Sequence, residues 1–578
     1  MNATNTKMMI SKTRLLVLLM LALLLTATAH AAAPGITGPT FNLTAQADYL
    51  SQPDGASVYS WGYGCNAAPA GFAPSTIKTT FCNPMQVPGP TLIVTEGQTV
   101  IVNLTNNLPA AAGNTSILFP GFSVSAAAAS TQPPTCTATT AAAQGLLTVE
   151  AAPGCSVTYT FQASSPGTRA YYSGTQGDLQ VEMGLYGAII VLPNPGSSSY
   201  PKNCDTSVTN LYGQRDYGTT NGVTGFPEHD FRLAHAAYYN ASTCYDREYL
   251  FQFSEMDPKI HRQAEAQVAD IANCTTTASR PVCPTTLQVP TEPYQPAYFM
   301  INGRSMPDDM DPNYASQYPH QPYNGNPHMH PGELTLIRVI GQGRWQHPFH
   351  EHGNHVRILA RDGNLITSDA TPTPTSPLAG PLLFTTTTTP GLAMDGIFYW
   401  TAKGLNWDAY GHNPSSADPN AKLACTPDVN GYNTGGLAPM AINYFEWCQD
   451  HDKPLQVTPT GDVAGGGPAT LPDPNLFTNG PWFGGSPYLG PNATMRATGC
   501  YTGSQPNGPA SGAANLCGQT GTTPPSGTIA NSPSSEAGFA FMWHSHNERE
   551  ITTNNIFPGG MLMMMLVDSR EFVIDESN

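Results

Sequence analysis

Charged side chains are scarce in this 578-residue chain. Asp, Glu, Lys and Arg together make up 11%, against about a quarter in ordinary soluble domains. Basic residues are the scarcer half, 23 against 40 acidic, which leaves a formal net charge of −17. So little positive charge argues against nucleic acid or an anionic membrane surface as a partner. Long apolar runs are also missing. The run Leu15–Leu25 has eleven residues and no later run is longer, whereas a membrane helix needs about 20. A P-loop, a GxGxxG leading into a helix and a GxSxG elbow are all absent, which removes nucleotide-binding and serine-hydrolase templates. No cysteine pair has CxxC spacing.

The twelve cysteines fall instead into neighbouring couples: Cys65/Cys82, Cys136/Cys155, Cys204/Cys244, Cys274/Cys283, Cys425/Cys448 and Cys500/Cys517. An even number favours disulfides made in an oxidising compartment over thiolate metal sites. The start of the chain agrees. Lys7, Lys12 and Arg14 precede the apolar run, and "TATAHAAAPG" offers a cleavage site near Ala31, the pattern of an export signal over residues 1–31. Losing that segment would bring the net charge to −20, since it carries three basic residues and no acidic ones. The expected location is the periplasm, the extracellular space or the cell surface.

Gly (55) and Pro (54) are abundant, the composition of short strands and many turns. "TLIVTEGQTVIVNLTNNLP" reads as two alternating strands around a turn, and "YDREYLFQFSEMD", "GELTLIRVIGQG" and "VRILARDG" read as further strands. The expected class is all-β, as tandem Greek-key sandwiches. Three units are expected, over residues 34–196, 205–415 and 425–578, the last with a Gly/Pro/Ser/Thr-rich excursion at about 455–535. Met561, Met563 and Met565 share one face of the final strand and read as core.

Histidine carries the chemistry. "HPFHEHGNH" holds His347, His350, His352 and His355, and "FMWHSHNERE" adds His544 and His546. On a strand, residues i and i+2 share a face. Two His-x-His strands brought together would therefore offer four neutral nitrogens, suited to copper or zinc. "HMH", His328–His330, is a weaker candidate in a Pro/Asn-rich loop. His229, His235, His261, His412 and His451 read as ordinary polar residues.

These stretches together resemble the multicopper oxidases, the laccase-type cupredoxin family. "VPGPTLIVTEGQTVIVNLTNNLP" resembles the family's opening strands and "SPGTRAYYSGTQ…GLYGAIIV" the end of its first domain. "HPFHEHG" resembles its HPxHxHG motif, and "WHSHNERE" with "GGM" its closing HCHxxxH…GM. The resemblance implies cupredoxin domains, with His350, His352, His544 and His546 as survivors of a three-copper cluster. It implies losses as well. "TSILFPG" puts Leu118 and Pro120, and "YYSG" puts Tyr172 and Gly174, where the family has histidines. Ser545 stands in place of the blue-copper cysteine and Glu550 in place of a histidine, and Met561 follows Ser545 by sixteen positions where the family has about ten. From that mononuclear site only His347 remains, and a His347/Glu550 pair could take zinc or manganese.

The expected function is an exported copper-binding protein with at most one copper, zinc being the alternative ion. Its metal residues would be His350, His352, His544, His546 and His347, with limited redox activity at most. A second expectation is a non-catalytic surface or assembly component that partners another protein or itself. Full laccase chemistry would need redox sites that the chain lacks.

Overall fold

The computed structural model describes residues 33–75, 81–133, 136, 142–204, 230–404, 425–433, 445–451, 485–489, 529–530, 537–568 and 574. The export signal, the Cys500/Cys517 couple, His229, His412 and most of the 455–535 excursion lie outside these residues. Within them strand far outweighs helix, and the strands form two cupredoxin-like β-sandwiches built from four sheets.

The first sandwich is formed by residues 33–192. One sheet runs in the order Gly167–Tyr172, Tyr186–Leu192, Leu92–Thr95, Gly35–Thr37, Phe72–Ala73. The other runs Ser57–Cys65, Thr40–Ser51, Thr99–Asn106, Ser156–Gln162, Ser125–Ala128. Alternation places the residues: along Thr99–Asn106, Val100, Val102 and Leu104 turn inward because successive side chains point to opposite faces. They meet Trp61, Leu92, Tyr159 and Ile189 in one core.

The second sandwich is discontinuous in sequence. One sheet orders Tyr298–Ile301, Arg247–Met256, Leu334–Gly341, Ala393–Tyr399, Val356–Arg361 and Asn364–Leu365. The facing sheet orders His328–Met329, Leu562–Asp568, Ala537–Ser545, His347–Glu351 and Thr385–Thr388. Three units were expected, with a boundary between residues 415 and 425. Yet the strands His347–Glu351 and Ala537–Ser545 from the two sides of that boundary are hydrogen-bonded neighbours. Among the described residues, the expected second and third units therefore form one sandwich. Neither segment can cover its own apolar face. Phe349 needs Trp543 (centroids 6.1 Å apart) and Phe253 (4.8 Å), which come from three distant parts of the chain. Met561, Met563 and Met565 lie in this core, as expected.

One element was not foreseen, the helix Pro258–Asn273. Asp257 caps it by accepting from the Lys259 backbone N–H at 2.9 Å, and Pro258 occupies its first turn, a start signal readable in "MDPK". Its Ile260 and Ala264 pack into the first sandwich. The sandwiches are also joined through Thr168: its hydroxyl donates to Asp395 at 2.6 Å and accepts at 3.1 Å from Arg338, which pairs with Glu248 at 2.9 Å within the second sandwich. Five of the six expected cysteine couples are disulfides. None of the helices among the described residues is long and apolar enough to cross a membrane.

The shared sheet has a direct consequence. A chain ending at residue 420 lacks both strands that complete it, so limited proteolysis of that fragment is expected to protect only the first sandwich. Protection of residues 245–400 in the fragment would show that the second unit folds without residues 537–568.

Candidate metal centre

The ladder between His347–Glu351 and Ala537–Ser545 pairs Phe349 with Ser545, His350 with His544 and Glu351 with Trp543. Strand alternation then sorts the side chains. Phe349, Trp543 and Ser545 point into the sandwich, while His350, His352, His544 and His546 share its outer face.

On that face the four rings converge. His350 lies 4.9 Å from His352, 5.4 Å from His544 and 4.8 Å from His546 between centroids. One ligand atom from each of His350, His352 and His544 falls within 4.8 Å of the others. The Nε2 atoms of His352 and His544 are 3.3 Å apart. A tetrahedral ion with metal–nitrogen bonds of about 2.0–2.1 Å separates its donors by about 3.3–3.4 Å, so the spacing fits a shared cation.

The other ring nitrogens are already engaged. His544 Nδ1 lies 2.6 Å from the Ser545 carbonyl oxygen, and His350 Nδ1 lies 2.6 Å from Thr385 Oγ1. Outer partners of this kind fix ring orientation and leave Nε2 as the donor. Trp543 donates its indole N–H to the His352 carbonyl at 3.0 Å, which holds that strand end in place. His350 and His544 are buried and His546 is exposed, so the cluster opens outward beside the ring of Phe384.

Burial disfavours the charged form of two of the rings. Burial, followed by the neighbouring His352, His544 and His546, pushes the His350 pKa down to about 3. Burial also lowers that of His544. Neutral imidazoles present lone pairs, which a divalent cation requires.

His347 does not join this cluster. Its Nε2 lies 2.9 Å from Glu255 Oε2 and its Nδ1 2.8 Å from Glu550 Oε2, with all three side chains buried. The two nitrogens of one imidazole point away from each other, so these carboxylates do not converge on one ion. Both N–H groups donate, and the ring is an imidazolium. Burial alone would lower its pKa, but the bonds to Glu255 and Glu550 outweigh that and raise it to about 9. Ser545 donates its hydroxyl to the same Glu550 carboxylate. Where the resemblance implied a mononuclear metal site, the chain thus holds a closed Glu255–His347–Glu550–Ser545 network. Glu255 was missed from sequence, although a carboxylate in the otherwise apolar "YLFQFSEM" was the signal to follow.

Glu351 lies inside the sandwich with both carboxylate oxygens unpartnered, and burial raises its pKa well above the ordinary range; it stays neutral and away from the histidines. His328 sits in a short strand, not a loop, with Nδ1 2.6 Å from Asp568, while His330 Nδ1 is 2.9 Å from the Asp568 carbonyl oxygen. Cys425, Glu446 and His451 also cluster, but Cys425 is bonded to Cys448 and offers no thiolate. His261 is buried between the Tyr59 and Glu182 carbonyls.

In the first sandwich, three of the four positions where the resemblance implied lost histidines, Leu118, Tyr172 and Gly174, do meet. Leu118 bridges Tyr172 through its backbone, and a side chain on Gly174 would strike Leu118. They line a cavity of about 300 Å³ together with Gln342 and Gly391. Their side chains offer no imidazole, thiolate or carboxylate.

Residues 69–196, most of them in the first sandwich, match the family model for multicopper oxidases. The solved structure of the multicopper oxidase mgLAC aligns at 14% identity over 93% of this chain and 88% of its own, with a TM-score of 0.38. A blue copper oxidase from Nitrosomonas europaea aligns at 12% identity over 91% of this chain and 85% of its own, also at 0.38. A copper nitrite reductase from the same organism aligns at 17% over 62% of this chain and 84% of its own, at 0.32. No curated protein sequence matches the chain.

The buried clamp makes stability depend on pH. His347 has its pKa raised on folding from 6.5 to about 9. Its contribution is complete below pH 6.5 and is lost as pH rises through 9. Thermal unfolding followed by circular dichroism should show Tm falling across that window, with His347→Gln removing most of the slope. An unchanged slope in the variant would assign the effect elsewhere.

Proposed function

We propose that this is an exported copper-binding protein on a multicopper-oxidase-like fold. Its single mononuclear site is held by His350, His352, His544 and His546. The observation that carries this reading is the 3.3 Å approach of the His352 and His544 Nε2 atoms within a quartet of converging imidazoles. Four nitrogen donors suit Cu(II), and zinc is the alternative occupant. His347 was expected as a fifth ligand; with both nitrogens given to carboxylates it is better assigned to the frame behind the site.

A bound copper would supply one-electron redox chemistry. The chain's own residues would do the rest. Thr385 and the Ser545 carbonyl hold the tautomers of His350 and His544, Trp543 fixes the strand under His352, and the Phe384 ring walls one side. The exposed His546 leaves an approach from solvent, which allows limited redox activity with a small reductant. Ser545 provides no thiolate, so an intense blue thiolate-to-copper absorption is not expected.

A second reading, a non-catalytic surface or assembly component, is favoured by one observation. The mononuclear position is filled by its own charged network, and the first-sandwich positions pack as Leu118 against Gly174. Five disulfides and the export-like start suit either reading.

Reconstitution with Cu(II) followed by metal analysis separates them. One copper per chain is expected, with a tetragonal electron paramagnetic resonance spectrum, and His352→Ala with His546→Ala should abolish uptake. Copper no higher than trace in the unaltered protein would leave the non-catalytic reading. Full occupancy in the double variant would refute the ligand assignment.

A further inference from the structure

The network on the inner side of the histidine strand extends beyond His347 in both directions. Toward the quartet, the Glu550 carboxylate takes three donors. His347 Nδ1 lies 2.8 Å from Oε2, Asn547 Nδ2 lies 2.9 Å from Oε1, and the Ser545 hydroxyl donates to Oε2. The Asn547 backbone N–H closes the loop onto Ser545 Oγ at 3.2 Å. Residues 545 and 547 are thereby tied to one buried carboxylate, and they bracket His546. Ser545 in turn lies between His544 and His546, so drawing its hydroxyl inward aims both imidazoles outward.

Away from the quartet, Glu255 stands on Arg247–Met256, a strand of the opposite sheet. Its Oε1 accepts the backbone N–H groups of Arg344 at 2.6 Å and Trp345 at 2.9 Å. The Tyr294 oxygen lies 3.2 Å from that same Oε1, and its hydroxyl donates to Glu182 of the first sandwich at 2.7 Å. Glu255 is thus the one carboxylate in this network that connects the facing sheet to the strand carrying His347 and, through Glu550, to the turn carrying His546.

We propose that Glu255 is a positioning residue for the imidazole quartet. Acting through His347 and Glu550, it fixes Ser545 and Asn547 and so sets the aim of His544 and His546. The inference rests on the copper reading above. Without Glu255, His347 would lose the partner at Nε2, and the Glu550 carboxylate would face a less firmly held cation. The turn over residues 545–550 is then the part with freedom to move. His546 is its most exposed ligand, 4.8 Å from His350 between ring centroids, and loses its aim first.

The test uses the full-length protein and Cu(II) alone. Glu255→Gln keeps the size and removes the charge, and is expected to weaken Cu(II) binding by roughly 10–100-fold, as outer partners of ligating histidines do. The hyperfine pattern of the copper resonance should shift with it. Ser545→Ala removes only the last link and should move the same spectrum less. A purely structural role would lower Tm and leave the spectrum of the folded, loaded variant unchanged. Folded Glu255→Gln and Ser545→Ala proteins with unaltered affinity and spectrum overturn the inference. Should Glu255→Gln fail to fold, Ser545→Ala decides alone, because it leaves the Glu255–His347–Glu550 ion pairs intact. Absence of copper from the unaltered protein removes the copper reading and this inference with it, whereas copper in that protein with unshifted variants removes the inference only.

Discussion

The antiparallel contact between His347–Glu351 and Ala537–Ser545 is the constraint on which the rest depends. It joins segments nearly two hundred residues apart, and closing a loop of that length costs conformational entropy that grows only slowly with length. The return comes from both faces at once. Inward, Phe349 and Trp543 join the aromatic core; outward, His350 and His544 come opposite each other. The register cannot slip. A shift of one residue would turn the imidazoles into the core and the aromatic rings to solvent, so the apolar packing that stabilises the sandwich also sets the geometry of the histidine quartet.

Behind that contact, the chain keeps a charged network of Glu255, His347, Glu550 and Ser545. An imidazolium between two carboxylates is an expensive interior. Removing charges from water costs several kcal/mol per ion in real proteins, and only close, fully bonded geometry offsets it. Here the geometry is close, at 2.9 and 2.8 Å, and Glu550 is further satisfied by Ser545 and Asn547. Such a set is hard to change at its centre, since deleting His347 strands two buried carboxylates. It gives the serine at position 545 a task that a thiolate could not share: its hydroxyl donates to the carboxylate.

How much of this was legible in the sequence follows from what is local. The alternating strands, the two His-x-His pairs and five cysteine couples are short-range patterns, and each appears in the structure where its spacing placed it. The helix Pro258–Asn273 was also marked locally, by its Asp-Pro start, but a strand-rich composition outweighed that signal. The merging of the second and third expected units was not legible, because strand partners this distant leave no periodicity to count. Nor was the separation of His347 from the quartet. That depends on Glu255, which lies 92 residues away and carries no motif, and on which face of the strand each histidine occupies at its very end.

The two halves of the implied cluster have taken opposite courses, and the contrast bears on what the quartet is for. In the first sandwich the vacated positions packed as Leu118 against Gly174, which is how a fold settles when no ligand needs to be held. In the second, the imidazoles stay crowded, His350 lying 4.9 Å from His352, 5.4 Å from His544 and 4.8 Å from His546 between centroids, distances at which like charges in a partly buried site repel strongly. Burial, and after it this crowding, disfavours a proton on His350, whose pKa is depressed. A proton can bond to only one of these nitrogens and then repels charge on the rest. A divalent ion bonded to several of them at once would meet no such repulsion, which is why the proposed copper suits this arrangement.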